Sequence, residues 1–168
     1  KVEKDWSRKL NRNERRLARN SALTATTDVT MVANRGHRFA DEISTLPIIL
    51  GDYSENGEKM DIEAFNLSGG TRKVSAIFEA LGLGDDLRRA RTGRNIRAGK
   101  ATMRGRVHKT PKSVLLVVAN KDGLAKAARN LPGVDVVAAK DLSAEHLAPG
   151  GDLGRLTVFT KAAVEALN

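Results

Sequence analysis

Residues 113–119 constrain the fold of this chain more than any other stretch, because their sequence SVLLVVA is apolar almost throughout. A strand with one face in water alternates apolar and polar side chains, whereas this segment offers apolar side chains to both faces. Continuous apolar strands are typical of parallel sheets that helices cover on both sides. The sequence therefore predicts a buried strand in a layered α/β domain.

The same pattern of strand followed by helix continues to the end of the chain. This alternation predicts a three-layer α/β/α fold with a mainly parallel sheet, and we expect one domain over residues 1–168. Residues 51–70 are polar and glycine-rich, which predicts a loop, and residues 85–91 predict one helical turn. We expect strands at 46–50, 113–119, 134–138 and 155–160, and helices at 11–35, 71–81, 121–130 and 161–167.

Helix boundary signals are clear in the first 37 residues. Asn11 or Asn13 is suited to cap a helix that runs to Arg35, and Gly36 is suited to end it. Arginines in the first turns of this helix are spaced by three or four residues, so that most of them share one face. These arginines are Arg12, Arg15, Arg16 and Arg19.

Residues 88–112, called the basic run below, contain ten Lys or Arg residues and no Asp or Glu. A surface that only needs to stay soluble mixes its charges, whereas a run of one sign repels itself unless a polyanion neutralises it. The run is rich in Arg and has three glycines that let the backbone approach phosphates closely. Since it has no aromatic residue, recognition of structured RNA by shape and backbone fits better than base stacking. We expect the run to extend from the body, poorly ordered when free and ordered on RNA.

The net charge of +9 is unevenly distributed along the chain. Residues 1–19, called the entry segment, carry eight basic and three acidic residues, whereas residues 20–87 carry five and eleven. Two basic segments that flank an acidic body favour a directed basic face, whose partners are RNA, DNA or an anionic membrane. A membrane is the weakest candidate, since no apolar run approaches the roughly 18 residues of a membrane span.

Catalytic and metal-binding patterns are weak. The chain has no cysteine, and its histidines, His37, His108 and His146, lie in separate segments without the close spacing of metal ligands. The SGGT sequence at 68–71 lacks the Lys of a P-loop, which favours a turn with a helix cap over a phosphate site. We therefore predict no catalytic residue, metal site, cofactor or small-molecule substrate. We expect His108 to contact RNA, and Ser143 and His146 to serve as capping or packing residues.

The order of several short motifs is more specific than any one of them. The chain contains KVEKDW, NRNERRLARNSALTAT, RGHRF, LPIIL, NIRAGKATMRGR, ARNLPGVDVV and AEHLAPGGDLGRLTVFTKAAVEAL, in that succession. Over nearly all 168 residues it thereby resembles the archaeal and eukaryotic form of the family of the fourth protein of the large ribosomal subunit. The resemblance implies an α/β domain seated on large-subunit ribosomal RNA. It also implies a structural, non-enzymatic role beside neighbouring ribosomal proteins in the cytoplasmic ribosome.

The resemblance further implies which residues contact RNA. The IRAGK and MRGR motifs imply RNA contact, and the RGH, ARN and GR motifs add further matching residues, some of them with structural roles. The first group is Arg94, Arg97, Lys100, Arg104, Arg106 and Lys109, and the second is Arg35, His37, Arg129, Asn130 and Arg155. The complete RNA-binding set that we predict adds Arg12, Arg15, Arg16, Arg19, Arg88, Arg89, Arg91, His108 and Lys112 to the first group, together with Arg35 and His37.

The family carries a long extension that reaches the wall of the peptide exit tunnel and precedes KVEKDW. We expect this extension, with the first strand and helix, to lie outside the present chain, so that a tunnel-lining role does not belong to these residues. Two other functions stay open. One is a small α/β enzyme that acts on RNA or a nucleotide, and the other is regulation by binding a messenger RNA that mimics the ribosomal site.

Overall fold

The structure is a computed structural model that describes residues 2–51, 53–55, 58–60, 62–63 and 70–167. Its strands form one central sheet and two small antiparallel hairpins. In chain order they are β1 (Ile48–Leu50), β2 (Tyr53–Glu55), β3 (Glu58–Met60), β4 (Asn95–Ile96), β5 (His108–Lys109), β6 (Leu115–Val118), β7 (Asp135–Ala138) and β8 (Thr157–Thr160).

Helices of very different length surround the sheet. Two turns of 3-10 helix, at Ala139–Asp141 and Pro149–Gly151, stand beside the α-helices. The α-helices are α1 (Arg12–Ala25), α2 (Val29–Asn34), α3 (Gly70–Ala80), α4 (Gly84–Thr92), α5 (Lys100–Met103), α6 (Gly123–Ala128), α7 (Ala144–Leu147) and α8 (Lys161–Leu167).

The central sheet has the strand order β1-β8-β6-β7, and every neighbouring pair in it is parallel. Strand β6 lies between β8 and β7, with Leu116 opposite both Val158 and Val136. All four residues of β6 are buried, as its continuous apolar sequence predicts. The prediction of a mainly parallel sheet is confirmed.

Alternate side chains of the sheet enter two separate cores. Leu116 and Val118 of β6 pack with residues of α3, α4 and α6, whereas Leu115 and Val117 pack with residues of α1, α7 and α8. Because successive side chains of a strand point to opposite faces, the two cores lie on the two sides of the sheet. The predicted three-layer α/β/α arrangement follows from this division.

The single helix predicted over 11–35 is two helices. The side chain of Asn11 caps α1 as expected, and Glu14 completes a capping box with it. The break comes at residues 26–28, where the Thr26 and Thr27 hydroxyls donate to carbonyls of the last turn of α1. Asp28 then accepts hydrogen bonds from the first turn of α2 and caps it. Short polar side chains that bond the local backbone compete with helix continuation, which explains the break.

The predicted loop at 51–70 also differs, because β2 and β3 pair within it as an antiparallel hairpin. The SGGT turn lies partly outside the described residues, since Ser68 and Gly69 are not among them. The single turn expected at 85–91 is the nine-residue helix α4. The other predicted elements are present with bounds that agree within two residues, and the final helix has the predicted bounds 161–167.

Candidate nucleic-acid interface

The basic run folds into a helix end and a projecting hairpin. Its poor order in the absence of RNA stays a prediction. Its first five residues belong to α4, and residues 94–110, called the basic arm, form β4, α5 and β5. Asn95 pairs with Lys109 and Ile96 with His108 across the arm. The turn is held by the Thr102 hydroxyl, which donates to the Arg97 carbonyl at 2.6 Å.

The cations of the basic arm are exposed, and none of them forms an ion pair with a described residue. Arg97 is braced across the hairpin, since its Nε donates to the carbonyl of His108 at 3.1 Å. Six positive charges thus lie close together on a projection without any carboxylate in its sequence, an arrangement that attracts a polyanion. The six residues are Arg94, Arg97, Lys100, Arg104, Arg106 and Lys109.

A second exposed basic surface lies on the first half of α1. Residues 11–18 are all exposed, and the first buried residue of the helix is Ala22, which packs in the core with α7. The beginning of α1 therefore protrudes from the body. Its arginine face consists of Arg12, Arg15 and Arg16, which are exposed, and Arg19, which is half-buried.

The root of the basic arm is held by a buried carboxylate that the sequence analysis did not single out. Asp86 is fully buried, and it accepts hydrogen bonds from Arg89 Nε at 2.9 Å and from the Ser113 hydroxyl at 2.6 Å. The backbone N–H of Arg38 and Nδ1 of His37 also lie within 3.2 Å of this carboxylate. The spacing of Asp86 and Arg89, three residues apart on a helix, is the signal that could have found the pair.

Burial alone would raise the pKa of Asp86. Hydrogen bonds from His37 and Arg89, followed by the charge of His37 and the bond from Ser113, outweigh it and lower the pKa to about 2. The carboxylate is therefore ionised at neutral pH even though it is inside the protein. The donors come from α4, from residues 37–38 and from Ser113. The ionised Asp86 therefore joins three separate parts of the chain at one point.

A second carboxylate, Asp135, extends the polar cluster at the root. It accepts a hydrogen bond from Lys112 Nζ at 2.7 Å and another from Arg155 Nη2 at 2.7 Å. Arg155 is only 1% exposed, and its Nε donates to the carbonyl of Ser113 at 3.1 Å. Burial lowers the pKa of Arg155, and the charge of Asp135 opposes that change. This cluster lies at the amino ends of β6, β7 and β8, where the basic arm rejoins the sheet.

The opposite ends of the central strands are occupied by the side chain of Glu63. Its carboxylate accepts hydrogen bonds from the N–H groups of Ala119 at 2.7 Å and Asn120 at 3.1 Å, and from the Thr160 hydroxyl. In open α/β sheets, ligands bind in the crevice at the carboxyl ends of the strands, where the strand order reverses. Here β6 and β8 flank that reversal. The Glu63 carboxylate accepts hydrogen bonds from the backbone N–H groups of Ala119 and Asn120, which a ligand would otherwise use.

Comparison with known proteins shows the family of this chain. The chain matches the model of the Ribosomal protein L4/L1 family over residues 1–168. It belongs to that family. The protein called large ribosomal subunit protein uL4 in Methanocaldococcus jannaschii is 48% identical over 167 residues, which cover 99% of this chain and 61% of the relative.

Two further relatives of the same name are similarly close. The protein from Methanopyrus kandleri is 46% identical over 98% of this chain and 59% of its own length. That from Halobacterium salinarum is 44% identical over 98% of this chain and 61% of its own length. The chain thus spans about three fifths of the length of the curated relatives that it matches.

Within this member of the L4/L1 family, several residues of the predicted RNA-binding set serve the fold. His37 is buried against Asp86, which favours a structural role for its ring over the predicted RNA contact. Arg89 is 23% exposed and bonds Asp86. Arg35 donates to the carbonyls of Pro149 and Asp152 and thereby holds the glycine-rich loop at 148–154. Charge placement along the chain did not reveal these intramolecular partners.

The remaining members of the set lie on the surface of this L4/L1 family member. Arg91 and His108 are exposed. Arg88 is exposed and forms an ion pair with Asp85 at 3.3 Å, and Lys112 is half-exposed in its pair with Asp135. The two basic side chains in the last turn of α4 also complement the helix dipole there. His146 caps α7 together with Ser143, as predicted.

Two other features of the described residues bear on ligands. None of the helices among them is long and apolar enough to cross a membrane. No group of three or more His, Cys, Asp or Glu side chains in the described part of the chain is arranged to hold a metal ion.

Proposed function

We propose that this chain is the ribosomal-RNA-binding body of a large-subunit ribosomal protein, and that it acts structurally in the cytoplasmic ribosome. The basic arm and the first half of α1 bind RNA phosphates, and the α/β body fixes the positions from which they leave. Neighbouring ribosomal proteins are further partners. The observation that carries the proposal is the cluster of six exposed cations on the projecting arm, none of which forms an ion pair with a residue in the described part of the chain.

Electrostatics explains how such a protein stabilises folded RNA. RNA segments that pack together repel each other through their phosphates, and a cationic arm between them lowers that repulsion. Arg is well suited to this task because its planar guanidinium donates two parallel hydrogen bonds to a phosphate. The polar cluster at the root supports the proposal, since it orients the arm before RNA binds and so lowers the entropy cost of binding.

A non-catalytic role fits the same site. Glu63 accepts hydrogen bonds from two backbone N–H groups after β6 and from the Thr160 hydroxyl at the end of β8, where an α/β enzyme would hold its substrate. The polar residues at the arm root, Asp86 and Asp135, are engaged in ion pairs with Arg89, Lys112 and Arg155. These carboxylates are used for structure, and they do not form an acid–base pair at a crevice.

The deciding experiment is a salt titration of binding to large-subunit ribosomal RNA fragments, by filter binding. The test variant carries alanine at four arm cations, Arg97, Lys100, Arg104 and Arg106. Each phosphate contact contributes about −0.7 to −0.9 to the slope of log K against log salt. The variant is therefore expected to bind more weakly, with a slope that is shallower by about three.

A control with the same loss of charge separates local contact from net charge. Lys121, Lys126, Lys140 and Lys161 are exposed on the body, and their fourfold alanine variant has the same net charge as the arm variant. This control variant is expected to show nearly the same slope of log K against log salt as the parent chain. Equal slopes for both variants, or binding that ignores the identity of the RNA, would mean that the arm is only a solvated basic surface.

A further inference from the structure

Large apolar side chains are exposed mainly where the cations are. Ten such side chains are exposed among the described residues, and seven of them lie in the entry segment and the basic run, which make up about a quarter of the chain. The seven are Val2, Trp6, Leu10, Leu17, Ile96, Met103 and Val107.

Exposed apolar residues that are scattered singly over a surface are normal and need no explanation. Their concentration in the two most basic segments does need an explanation, because solvent-exposed cations stay hydrated without apolar side chains beside them. Most are direct neighbours of a cation in sequence, as Ile96 is of Arg97 and Met103 of Arg104. Whatever covers these segments must therefore offer negative charge and apolar surface within a few ångströms of each other.

RNA with unpaired nucleotides has both properties. Its phosphates carry the charge, and its unstacked bases present flat apolar faces that side chains can cover. A continuous RNA helix stacks its bases on one another and leaves mainly phosphates and riboses accessible. The charge of the two segments favours such an RNA over a protein surface, since the basic arm has no carboxylate to pair with a cationic residue of a protein partner.

The arm presents its apolar side chains at the hairpin and at its turn. Ile96 is 72% exposed on β4 opposite His108, whose ring lies on the same side of the hairpin. Met103 is 84% exposed at the end of α5. Methionine is flexible and polarisable, and it adapts well to an aromatic face.

The entry segment contributes an aromatic ring. Trp6 is 75% exposed, and Lys4 Nζ lies 4.7 Å from the centre of its ring. An indole is the largest stacking surface among the side chains, and a cation beside it adds a contact to phosphate. The absence of aromatic residues from the basic run therefore does not exclude stacking by the protein as a whole.

We propose that Trp6, Ile96 and Met103 cover the faces of unpaired nucleotides, so that this protein selects RNA in which a loop or junction interrupts a helix. The proposal rests on the proposed function and names the class of RNA that the same surface takes. Apolar contact releases no counterions, and hence it adds affinity without changing the salt slope.

The first test compares two RNA probes of equal length, a continuous duplex and a duplex with a central internal loop of unpaired nucleotides. The parent chain is expected to prefer the looped RNA. The double variant Ile96→Ser with Met103→Ser should lose about tenfold in affinity for the looped RNA and little for the duplex, at an unchanged salt slope. Equal losses on both probes, or a shallower slope, would overturn the proposal.

The chain offers a matched control for these substitutions. Ile49 and Met31 are also exposed large apolar residues, but they lie outside the two basic segments. The double variant Ile49→Ser with Met31→Ser is expected to bind both probes like the parent. If it loses the same preference for looped RNA, the effect is general and the proposal is wrong.

The second test uses the fluorescence of Trp6, which is the only tryptophan of the chain. Stacking on a base should quench this emission when looped RNA is saturating, whereas saturating duplex should leave it largely unchanged. Trp6→Leu should weaken binding to looped RNA and leave the slope as it is. Unquenched emission on saturating looped RNA would exclude stacking by Trp6.

These outcomes separate the inference from the proposed function. If the arm variant lacking four cations shows its shallower slope while the apolar variants bind like the parent, only the inference fails. If the arm variant also binds like the parent, the proposed function fails.

Discussion

Nη2 of Arg89 lies 2.7 Å from the carbonyl oxygen of Lys112, and this hydrogen bond ties the beginning of the basic run to its end. Nε of the same guanidinium bonds the buried Asp86 at 2.9 Å. Both ends of the run are thus anchored at one charged point inside the protein. The basic run carries only positive charges, which repel one another. Because its two ends are held together, the run projects from the body in a defined direction.

The first prediction compares the neighbouring carboxylates Asp85 and Asp86. Each pairs with the arginine three residues later, but Asp86 is buried and Asp85 is 69% exposed. Asp86→Ala leaves Arg89 and Ser113 without their partner, and it should lower the free energy of unfolding by about 3–5 kcal/mol. Asp85→Ala should change it by less than about 0.5 kcal/mol. Urea unfolding measures both, and similar values for the two variants would contradict the structure.

The second prediction concerns acid. The folded pKa of Asp86, about 2, lies below its ordinary value of 3.8, so its contribution to stability is complete above pH 4. That contribution is lost as the pH falls from about 4 to about 2, and it amounts to roughly 2 kcal/mol. Unfolding measured across this range should show a shallower acid limb for Asp86→Asn than for the parent. A parallel limb in the variant would mean that Asp86 does not titrate as described.

The third prediction tests how tightly the root is packed. Gly133 and Gly105 both have a positive φ, 73° and 76°. A Cβ at Gly105 would meet open space, whereas one at Gly133 would collide with the carbonyl of Pro111 and lie 3.0 Å from Ala90 Cβ. Gly105→Ala should therefore cost about 1 kcal/mol, the price of the backbone conformation, and Gly133→Ala about 3 kcal/mol or more.

Thermal or urea unfolding checks this pair of variants. The slope of log K against log salt for RNA binding provides a second readout, because Gly105→Ala alters the backbone of the arm but removes none of its cations. If Gly133→Ala is no more destabilising than Gly105→Ala, the contact between Gly133 and Pro111 is looser than the structure describes.

The fourth prediction refines the expectation that the whole basic run is poorly ordered without RNA. Residues 88–92 belong to α4, and their amides should exchange slowly in the free protein. Strands β4 and β5 contribute only two residue pairs, and the arm's other hydrogen bonds are solvent-exposed, so its amides should exchange fast when free and slowly on RNA. The amides of β6 serve as an internal reference that stays protected. Strong protection of the arm before RNA is added would contradict this view.

Much of the fold follows from local sequence patterns. The apolar run at 113–119 predicts β6 with both faces covered, and the alternation after it predicts the parallel sheet. Asn11 and Ser143 are found at the caps where they were expected. Such signals depend on residues within a few positions of each other, which is why they can be recognised without a structure.

The break at Thr26–Asp28 and the hairpin of β2 and β3 were not predicted. At the break, hydrogen bonds from the Thr26 and Thr27 side chains to the backbone oppose the longer helical pattern. The hairpin rests on pairing between two strands of only three residues each, too short for a clear sequence pattern. The apolar spacing of residues 17–32 continues across the break, and it therefore suggested one helix where two are present.

The candidate interface divides in the same way. The sequence by itself determined that positive charge is concentrated in residues 1–19 and 88–112, because charged residues can be counted along the chain without a structure. Only the tertiary structure decided which of these charges are available to a ligand. His37 meets Asp86 across 49 residues, and Lys112 meets Asp135 across 23. Pairing depends on distance in space, and folding brings these carboxylates to the root of the arm while it leaves the six cations of the arm itself in solvent.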